Sequence, residues 1–249
     1  MSAVRRLCAA TVAALLLTAC TGASGSAGTE VVVFAASSLN PTFATLGKDF
    51  EAAHPGVTVK FSFDGSAALV DQLSAGANAD VFASADAANM DKASTAGLIT
   101  GTATPFTTNV LTLITPRGNP AGITGLDQSL TGKKLVICAD GVPCGSATKK
   151  LAAALGITLK PVSEETRVTD VRTKVESGQA DAGIVYVTDA KASGDKVDMI
   201  PIAGADMARN QYLIGVTKTS KQAALATQFI ELVASDKGQA VLKAAGFGG

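Results

Sequence analysis

Residues 31–41 read VVVFAASSLNP, an apolar, β-branched run that ends abruptly at Ser37 and Ser38. The run predicts a buried strand, and apolar residues then recur at helical spacing between 39 and 50. In an open α/β sheet, ligands bind at the carboxyl ends of strands. The free N–H groups at the start of a helix are suited to anions. This junction therefore predicts capture of a small anion, without chemistry performed on it.

Strands and helices alternate along the rest of the chain, an order typical of mainly parallel sheets flanked by helices. About 220 residues follow the N-terminal region, enough for two small lobes. We predict an α/β fold in which residues 31–109 and 214–249 form lobe 1 and residues 110–213 form lobe 2. Two crossing strands, near 107–113 and 211–216, would form the hinge. An uninterrupted second domain is the alternative.

The N-terminus predicts export. Two arginines precede an apolar stretch at residues 7–17 that is too short to span a membrane. The sequence LTAC at residues 17–20 resembles the bacterial lipobox, in which the cysteine is lipidated; an ordinary cleaved signal with an incidental cysteine is the alternative. We expect a signal peptide at 1–19, a lipid on Cys20 and a tether at 20–30. The protein would then be anchored by lipid alone to the outer face of the cytoplasmic membrane, in the periplasmic or cell-wall space.

The charge of the exported chain excludes some partners. The first 19 residues contain two arginines and no acid, which leaves 19 basic and 21 acidic side chains and a net charge of −2. Nucleic acid needs a basic footprint, so it is not an expected partner. An anion must then be held by local oriented dipoles, because the overall field does not attract it.

Two cysteines remain in the body of the chain. Cys138 and Cys144 are six residues apart, and export to an oxidising space favours a disulfide between them. Two small buried thiols are the alternative. A metal site is not expected, because the single histidine, His54, precedes Pro55 in a predicted surface turn.

Five short motifs place small polar groups at predicted helix starts or strand ends. Ser66 in the second motif could simply cap a helix, and Tyr186 in the fifth could be a core residue with a solvated hydroxyl. In chain order the motifs are FAASSL, DGSAAL, VPCG, TDVR and GIVY.

In order and rough spacing, these motifs resemble the periplasmic molybdate-binding proteins of ABC transporters, over about residues 30–247. The resemblance implies a type II periplasmic-binding-protein fold that captures molybdate, and also tungstate, with no cofactor and no catalysis. It implies a monomer that delivers its ligand to a membrane permease with a separate ATPase. By position, the hydroxyls that hold the oxyanion belong to Ser38, Ser66 and Tyr186. The backbone N–H donors lie at or beside Ser38, Ser66, Cys144 and Val171.

The matched positions form a site of donors alone. None of them is Lys, Arg or His. Hydrogen phosphate carries a proton that needs an acceptor, so the site should reject it. Sulfate has no such proton, so only cavity size excludes it, and a sulfate- or thiosulfate-binding protein is the alternative. Lys149 and Arg172 would either steer the ligand or contact the transporter, or be solvated surface charges.

An enzyme is the more distant alternative. Ser146 and Lys149 fit the S-x-x-K pattern of penicillin-binding enzymes, but the S-D-N and K-T-G partner motifs are absent. The chain also has no G-x-S-x-G, H-E-x-x-H, G-x-G-x-x-G or Walker sequence.

Overall fold

The computed structural model describes residues 28–248, so the predicted signal peptide, the lipidated Cys20 and most of the tether lie outside the described residues. In this part of the chain ten strands form two five-stranded sheets. The strands are β1 (Thr29–Ala36), β2 (Val57–Asp64), β3 (Val81–Ser84), β4 (Ile99–Asn109), β5 (Leu111–Pro116), β6 (Leu135–Cys138), β7 (Ser163–Glu165), β8 (Ala182–Tyr186), β9 (Val197–Pro201) and β10 (Asn210–Thr217).

Helices cover both sheets. Across residues 28–248, none of them is both long and apolar enough to cross a bilayer. The α-helices are α1 (Asn40–Ala53), α2 (Ser66–Ser74), α3 (Ala87–Thr95), α4 (Pro143–Ala154), α5 (Val168–Glu176), α6 (Val187–Ala192), α7 (Ala223–Ala234) and α8 (Asp236–Ala245), and short 3-10 turns lie at Ser37–Leu39, Gln128–Leu130, Gly194–Lys196 and Ala205–Ala208.

Each sheet has four strands running one way and one strand running against them. The first sheet has the order β2-β1-β3-β10-β4, with β1 parallel to β2 and β3, and β10 antiparallel to both its neighbours. The second has the order β7-β6-β8-β5-β9, with β6 parallel to β7 and β8, and β5 antiparallel to both its neighbours. The predicted α/β class, with two helix-flanked sheets, is confirmed.

The chain passes between the sheets twice. It leaves the first sheet at Asn109, the end of β4, and enters the second at Leu111, the start of β5. It returns after β9, and β10 joins the first sheet from Asn210, four residues before the predicted boundary at 214. Asn210 pairs directly with Asn109, so both passages lie side by side. The exact lobe boundaries stay a prediction.

The apolar run of β1 is continuous because both faces of the strand are covered. Successive side chains point to opposite faces, so Val31, Val33 and Ala35 face one core and Phe34 faces another. The first core includes Phe43 of α1, Phe229 of α7 and Leu242 of α8, and the second includes Leu69 of α2 and Met90 of α3. A third core, between the second sheet and its helices, includes Leu113, Val136, Leu151, Val175 and Ile184.

Three elements had no clear signal in the sequence. β4 contains Gly101 and Pro105, and it alternates poorly because it is an edge strand with most of its residues exposed or half-buried. β7 has three residues and α6 has six, too few for a periodic pattern. By contrast, α3 has a side-chain cap, since the Asp86 carboxylate accepts the N–H of Asn89.

A disulfide joins the end of β6 to the first turn of α4. Cys138 and Cys144 are bonded, with their Cα atoms 5.7 Å apart. The loop between them is tightly folded, because a Cβ built on Gly145 would lie 1.8 Å from the carbonyl oxygen of Ala139. Only glycine fits there, so the loop that leads into α4 is fixed by a covalent bond and by a close backbone contact.

Candidate functional site

One narrow cavity lies between the two sheets, where strands of both come to an end. Its volume is about 10 Å³, roughly the space that a single water molecule needs. Four of the five predicted oxyanion-binding residues line it: Ser38, Ser66, Cys144 and Tyr186. The other lining residues are Ala36, Ser37, Asp64, Gly65, Ala85, Val142, Pro143 and Val168.

The first sheet contributes the serines. After β1 the chain forms the tight turn Ser37–Leu39, which holds both serines 5% exposed. After β2 the chain turns at Gly65 and α2 begins at Ser66. The explanation of Ser66 as a helix cap is wrong, because Gly65 occupies that position and no side chain caps α2. The Ser66 hydroxyl instead accepts the N–H of Ala85, at 3.0 Å, from the loop that follows β3.

The second sheet contributes two helix starts and a tyrosine. Pro143 is in the first turn of α4, where its missing N–H is no loss, and Cys144 follows it. Val168 begins α5. With α2, three helices of nine or more residues begin at the cavity wall. Because the first N–H groups of a helix have no partner within it, these starts supply donors and the positive ends of helix dipoles.

Val171 is not among the residues that line the cavity. It is fully buried one turn into α5, and its Cγ1 would lie 2.8 Å from a Cβ on Gly183 of β8. The first turn of α5 is tight, because the carbonyl of Arg167 accepts the N–H of Asp170, at 3.1 Å. In α2, α4, α7 and α8 the carbonyl of the residue before the helix instead accepts the N–H four residues further along the chain. The Val171 side chain therefore packs against β8 instead of lining the cavity, and a role for its backbone N–H stays a prediction.

Behind the cavity lies a set of buried polar residues that the sequence did not reveal. The Ser38 hydroxyl is 2.9 Å from the Tyr212 hydroxyl. The Tyr186 hydroxyl is 2.9 Å from the side-chain nitrogen of Asn210, and Asn109 contacts Tyr212 at 3.3 Å. The single sequence signal was that Tyr212 is one of only two tyrosines.

Both tyrosines remain protonated. Burial raises the pKa of Tyr186 well above its ordinary value, and the nearby Tyr212, Asp86 and Asp189 raise it further. Burial also raises the pKa of Tyr212. Each hydroxyl therefore keeps a proton to donate at any physiological pH.

Among residues 28–248, the cavity lining contains no Lys, Arg or His and a single charged side chain, Asp64. The oxygens of Asp64 accept the N–H of Gly65, at 2.8 Å, and the amide of Gln72, at 3.2 Å. Lys149 pairs with the exposed Asp140, at 2.8 Å, so it is a surface charge. An anion in this cavity would be held by hydroxyls and backbone dipoles.

The penicillin-binding pattern has no supporting geometry. The side chain of Lys149 is 73% exposed and bonded to Asp140, which raises the pKa of its ammonium group. A lysine that activates a serine needs a lowered pKa.

Over the described chain, no group of three or more His, Cys, Asp or Glu could hold a metal ion.

Asp189 is a buried carboxyl group near the cavity. It lies in α6, three residues after Tyr186, and its Oδ2 has no hydrogen-bond partner within residues 28–248. Burial raises its pKa to about 7, although Arg172 and the backbone N–H groups of Tyr186 and Asp189 act in the opposite direction. Arg172 is itself 3.3 Å from Glu176, within ion-pair distance.

A family model described as bacterial extracellular solute-binding protein matches residues 31–248. The chain belongs to the bacterial extracellular solute-binding proteins. The molybdate-binding protein ModA of Mycobacterium tuberculosis is 47% identical to this solute-binding protein over 219 residues, which are 88% of this chain and 84% of ModA.

Two solved structures share the fold. The periplasmic molybdate-binding protein of Azotobacter vinelandii has a TM-score of 0.76 and 23% identity, covering 87% of this chain and 98% of that one. The sulfate-binding protein SubI of Mycobacterium tuberculosis has a TM-score of 0.73 and 19% identity, covering 88% and 86%. Both likenesses show the fold alone.

The raised pKa of Asp189 predicts a pH-dependent stability. The folded state binds this proton more tightly than the unfolded state, so its contribution is present at acidic pH and is lost as the pH rises through about 7. Between pH 5.5 and 8 the wild type should lose about 2 kcal/mol of unfolding free energy that Asp189→Asn does not lose. Urea titrations at several pH values measure this. Asp195→Asn, at an exposed acid, is the control and should follow the wild type; parallel curves for Asp189→Asn and wild type would refute the assignment.

Proposed function

We propose that this solute-binding protein captures molybdate, and also tungstate, outside the cytoplasmic membrane and delivers it to an ABC permease. The observation that carries the proposal is the cavity, where the three predicted hydroxyls and three helix starts converge and no cation lies among the described lining residues. A dianion that has no proton fits such a set of donors. The relative with 47% identity is itself named a molybdate-binding protein.

The oxyanion-binding set in this proposal is the hydroxyls of Ser38, Ser66 and Tyr186 with backbone N–H groups at or beside Ser38, Ser66, Cys144 and Val171. Oriented dipoles in a dry cleft hold a charge strongly, because the medium screens them little. The protein acts as a monomeric carrier with no cofactor and no catalytic step. Lipid on Cys20 keeps it at the membrane, and the ATPase belongs to the permease complex.

Binding in this proposal involves closure of two lobes, one around each sheet. The cavity has room for about one water, so a tetrahedral oxyanion must enter while the lobes are apart. Closure about the strand crossings then completes the donor set from both sides and excludes water. Gly65 marks the contact, since a Cβ built on it would lie 2.3 Å from the carbonyl oxygen of Thr166 on the opposite side.

Removal of one hydroxyl tests the oxyanion site. Ser38→Ala and Tyr186→Phe should each weaken molybdate binding by about 1.5–3 kcal/mol, the usual range for a hydrogen bond to a charged group. Isothermal titration calorimetry measures the affinity. Ser94→Ala, at an exposed position of α3, is the matched control and should bind as the wild type does. Wild-type affinity in both site variants would remove these hydroxyls from the site.

A panel of tetrahedral oxyanions tests the ligand. Molybdate and tungstate should raise the melting temperature of the mature domain, since a ligand that binds only the folded state stabilises it. Sulfate, thiosulfate and hydrogen phosphate should raise it far less at equal concentration. An equal effect of sulfate or thiosulfate would make the protein a carrier of those anions instead.

Gly65→Ala tests closure. The added methyl group collides with the Thr166 carbonyl oxygen only when the lobes are closed, so the variant should fold normally but bind molybdate about tenfold or more weakly. Gly125→Ala is the matched control, because a Cβ there meets only the end of the Asp127 side chain, at 3.2 Å. Unchanged affinity in Gly65→Ala would show that binding does not need this approach.

A further inference from the structure

The three hydroxyls assigned to the oxyanion site, of Ser38, Ser66 and Tyr186, can hold an oxyanion only if their protons point toward it. A hydroxyl has one proton and can also accept a hydrogen bond, so the partner behind each oxygen decides where its proton goes. Ser66 is the simplest case. Its oxygen accepts the backbone N–H of Ala85, at 3.0 Å, and its own proton is therefore free for the cavity.

Asn210 determines where the hydroxyl proton of Tyr186 points. The side-chain nitrogen of Asn210 is 2.9 Å from the carbonyl oxygen of Ala85 and 3.5 Å from that of Pro143, and carbonyl oxygens can only accept. The amide group must therefore turn its NH₂ toward them. The same nitrogen is 2.9 Å from the Tyr186 hydroxyl. The Tyr186 oxygen accepts from Asn210, so its proton is free to point into the cavity that Tyr186 lines.

Asn109 determines, through Tyr212, where the hydroxyl proton of Ser38 points. The Asn109 carbonyl oxygen accepts the N–H of Val110, at 3.0 Å, so its nitrogen must be the group that faces Thr188, at 2.8 Å, and Tyr212, at 3.3 Å. The Tyr212 oxygen accepts from this nitrogen. A buried hydroxyl proton without a partner is costly, so Tyr212 donates to Ser38 at 2.9 Å. The proton of Ser38 is then free for the cavity.

We infer that Asn109 and Asn210 are positioning residues that turn the hydroxyls of Ser38 and Tyr186 into obligate donors and so make the site select oxyanions without a proton. The two asparagines pair with each other across β4 and β10, where the chain passes between the sheets. Each amide also contacts a residue next to the second sheet: Asn210 contacts Tyr186 at the end of β8, and Asn109 contacts Thr188 in α6. The inference deepens the proposed function and rests on the same cavity.

Asn210→Asp should reverse the hydrogen bond between residue 210 and the Tyr186 hydroxyl. An ionised carboxylate can only accept, so it accepts from Tyr186 and the phenol oxygen presents lone pairs to the cavity. In mildly alkaline buffer, where molybdate and hydrogen phosphate both carry two negative charges, molybdate loses a donor while hydrogen phosphate gains an acceptor. The ratio of the molybdate affinity to the hydrogen phosphate affinity, measured by calorimetry, should fall about tenfold or more relative to the wild type.

The Tyr186→Phe background separates this effect from the added charge. With no hydroxyl to reverse, Asn210→Asp should leave the affinity ratio of Tyr186→Phe unchanged. A charge effect or a loosened structure would instead weaken both anions by the same factor, with or without the hydroxyl, and that result would overturn the inference.

Asn109→Asp provides the second, independent arm, and it decides the question if Asn210→Asp does not fold. Its carboxylate keeps the bond from Val110 N–H and can accept from the hydroxyls of Thr188 and Tyr212, so Tyr212 would no longer donate to Ser38. The same fall in the ratio is expected, and it should vanish in a Tyr212→Phe background. An unchanged ratio would overturn the inference. If the wild type binds sulfate and not molybdate, the proposed function fails, and the same ratios with sulfate still test the asparagines.

Discussion

The pairing of β4 with β10 is the interaction on which the other features of the site depend. These two strands lie where the chain leaves the first sheet and returns to it, and Asn109 and Asn210 face each other in their register. Backbone pairing fixes the distance between the two asparagines, and their amides in turn hold Tyr212 and Tyr186. The same short piece of sheet therefore connects the two halves and positions the hydroxyls at the cavity.

The electrostatics of the cavity follow from the absence of a cation in its described lining. A lysine would attract any anion, protonated or not, because its ammonium group acts as a point charge. Hydroxyls and helix N–H groups are directional, and each can satisfy an oxygen only along its own bond. The single charged residue of that lining, Asp64, has its oxygens bonded to Gly65 and Gln72. In the proposed site, selectivity would come from the directions of the donor protons, because hydrogen bonds act at short range and along defined directions.

Much of the fold could be predicted from the sequence because its cores are periodic. The apolar run of β1 and the helical spacing in α1 each have a local physical signature, and each was found where expected. The edge strand β4 was missed because half-exposed threonines, a glycine and a proline carry no alternation. Ser66 was ambiguous because a serine at a helix start looks the same whether it caps the helix or faces a cavity; the N–H of Ala85 makes the difference.

The sequence by itself determined the class of fold, the family resemblance and the types of residue at the site, because these depend on local patterns and on motifs kept in order. Only the tertiary structure decided which groups meet. It placed Ser38, Ser66, Cys144 and Tyr186 around one cavity and left Val171 behind the lining. It also brought Asn109, Asn210 and Tyr212 to the back of the site, from positions as far as 174 residues from Ser38. Hydrogen-bond direction depends on which atoms lie next to each other in space, and a sequence pattern holds no record of that.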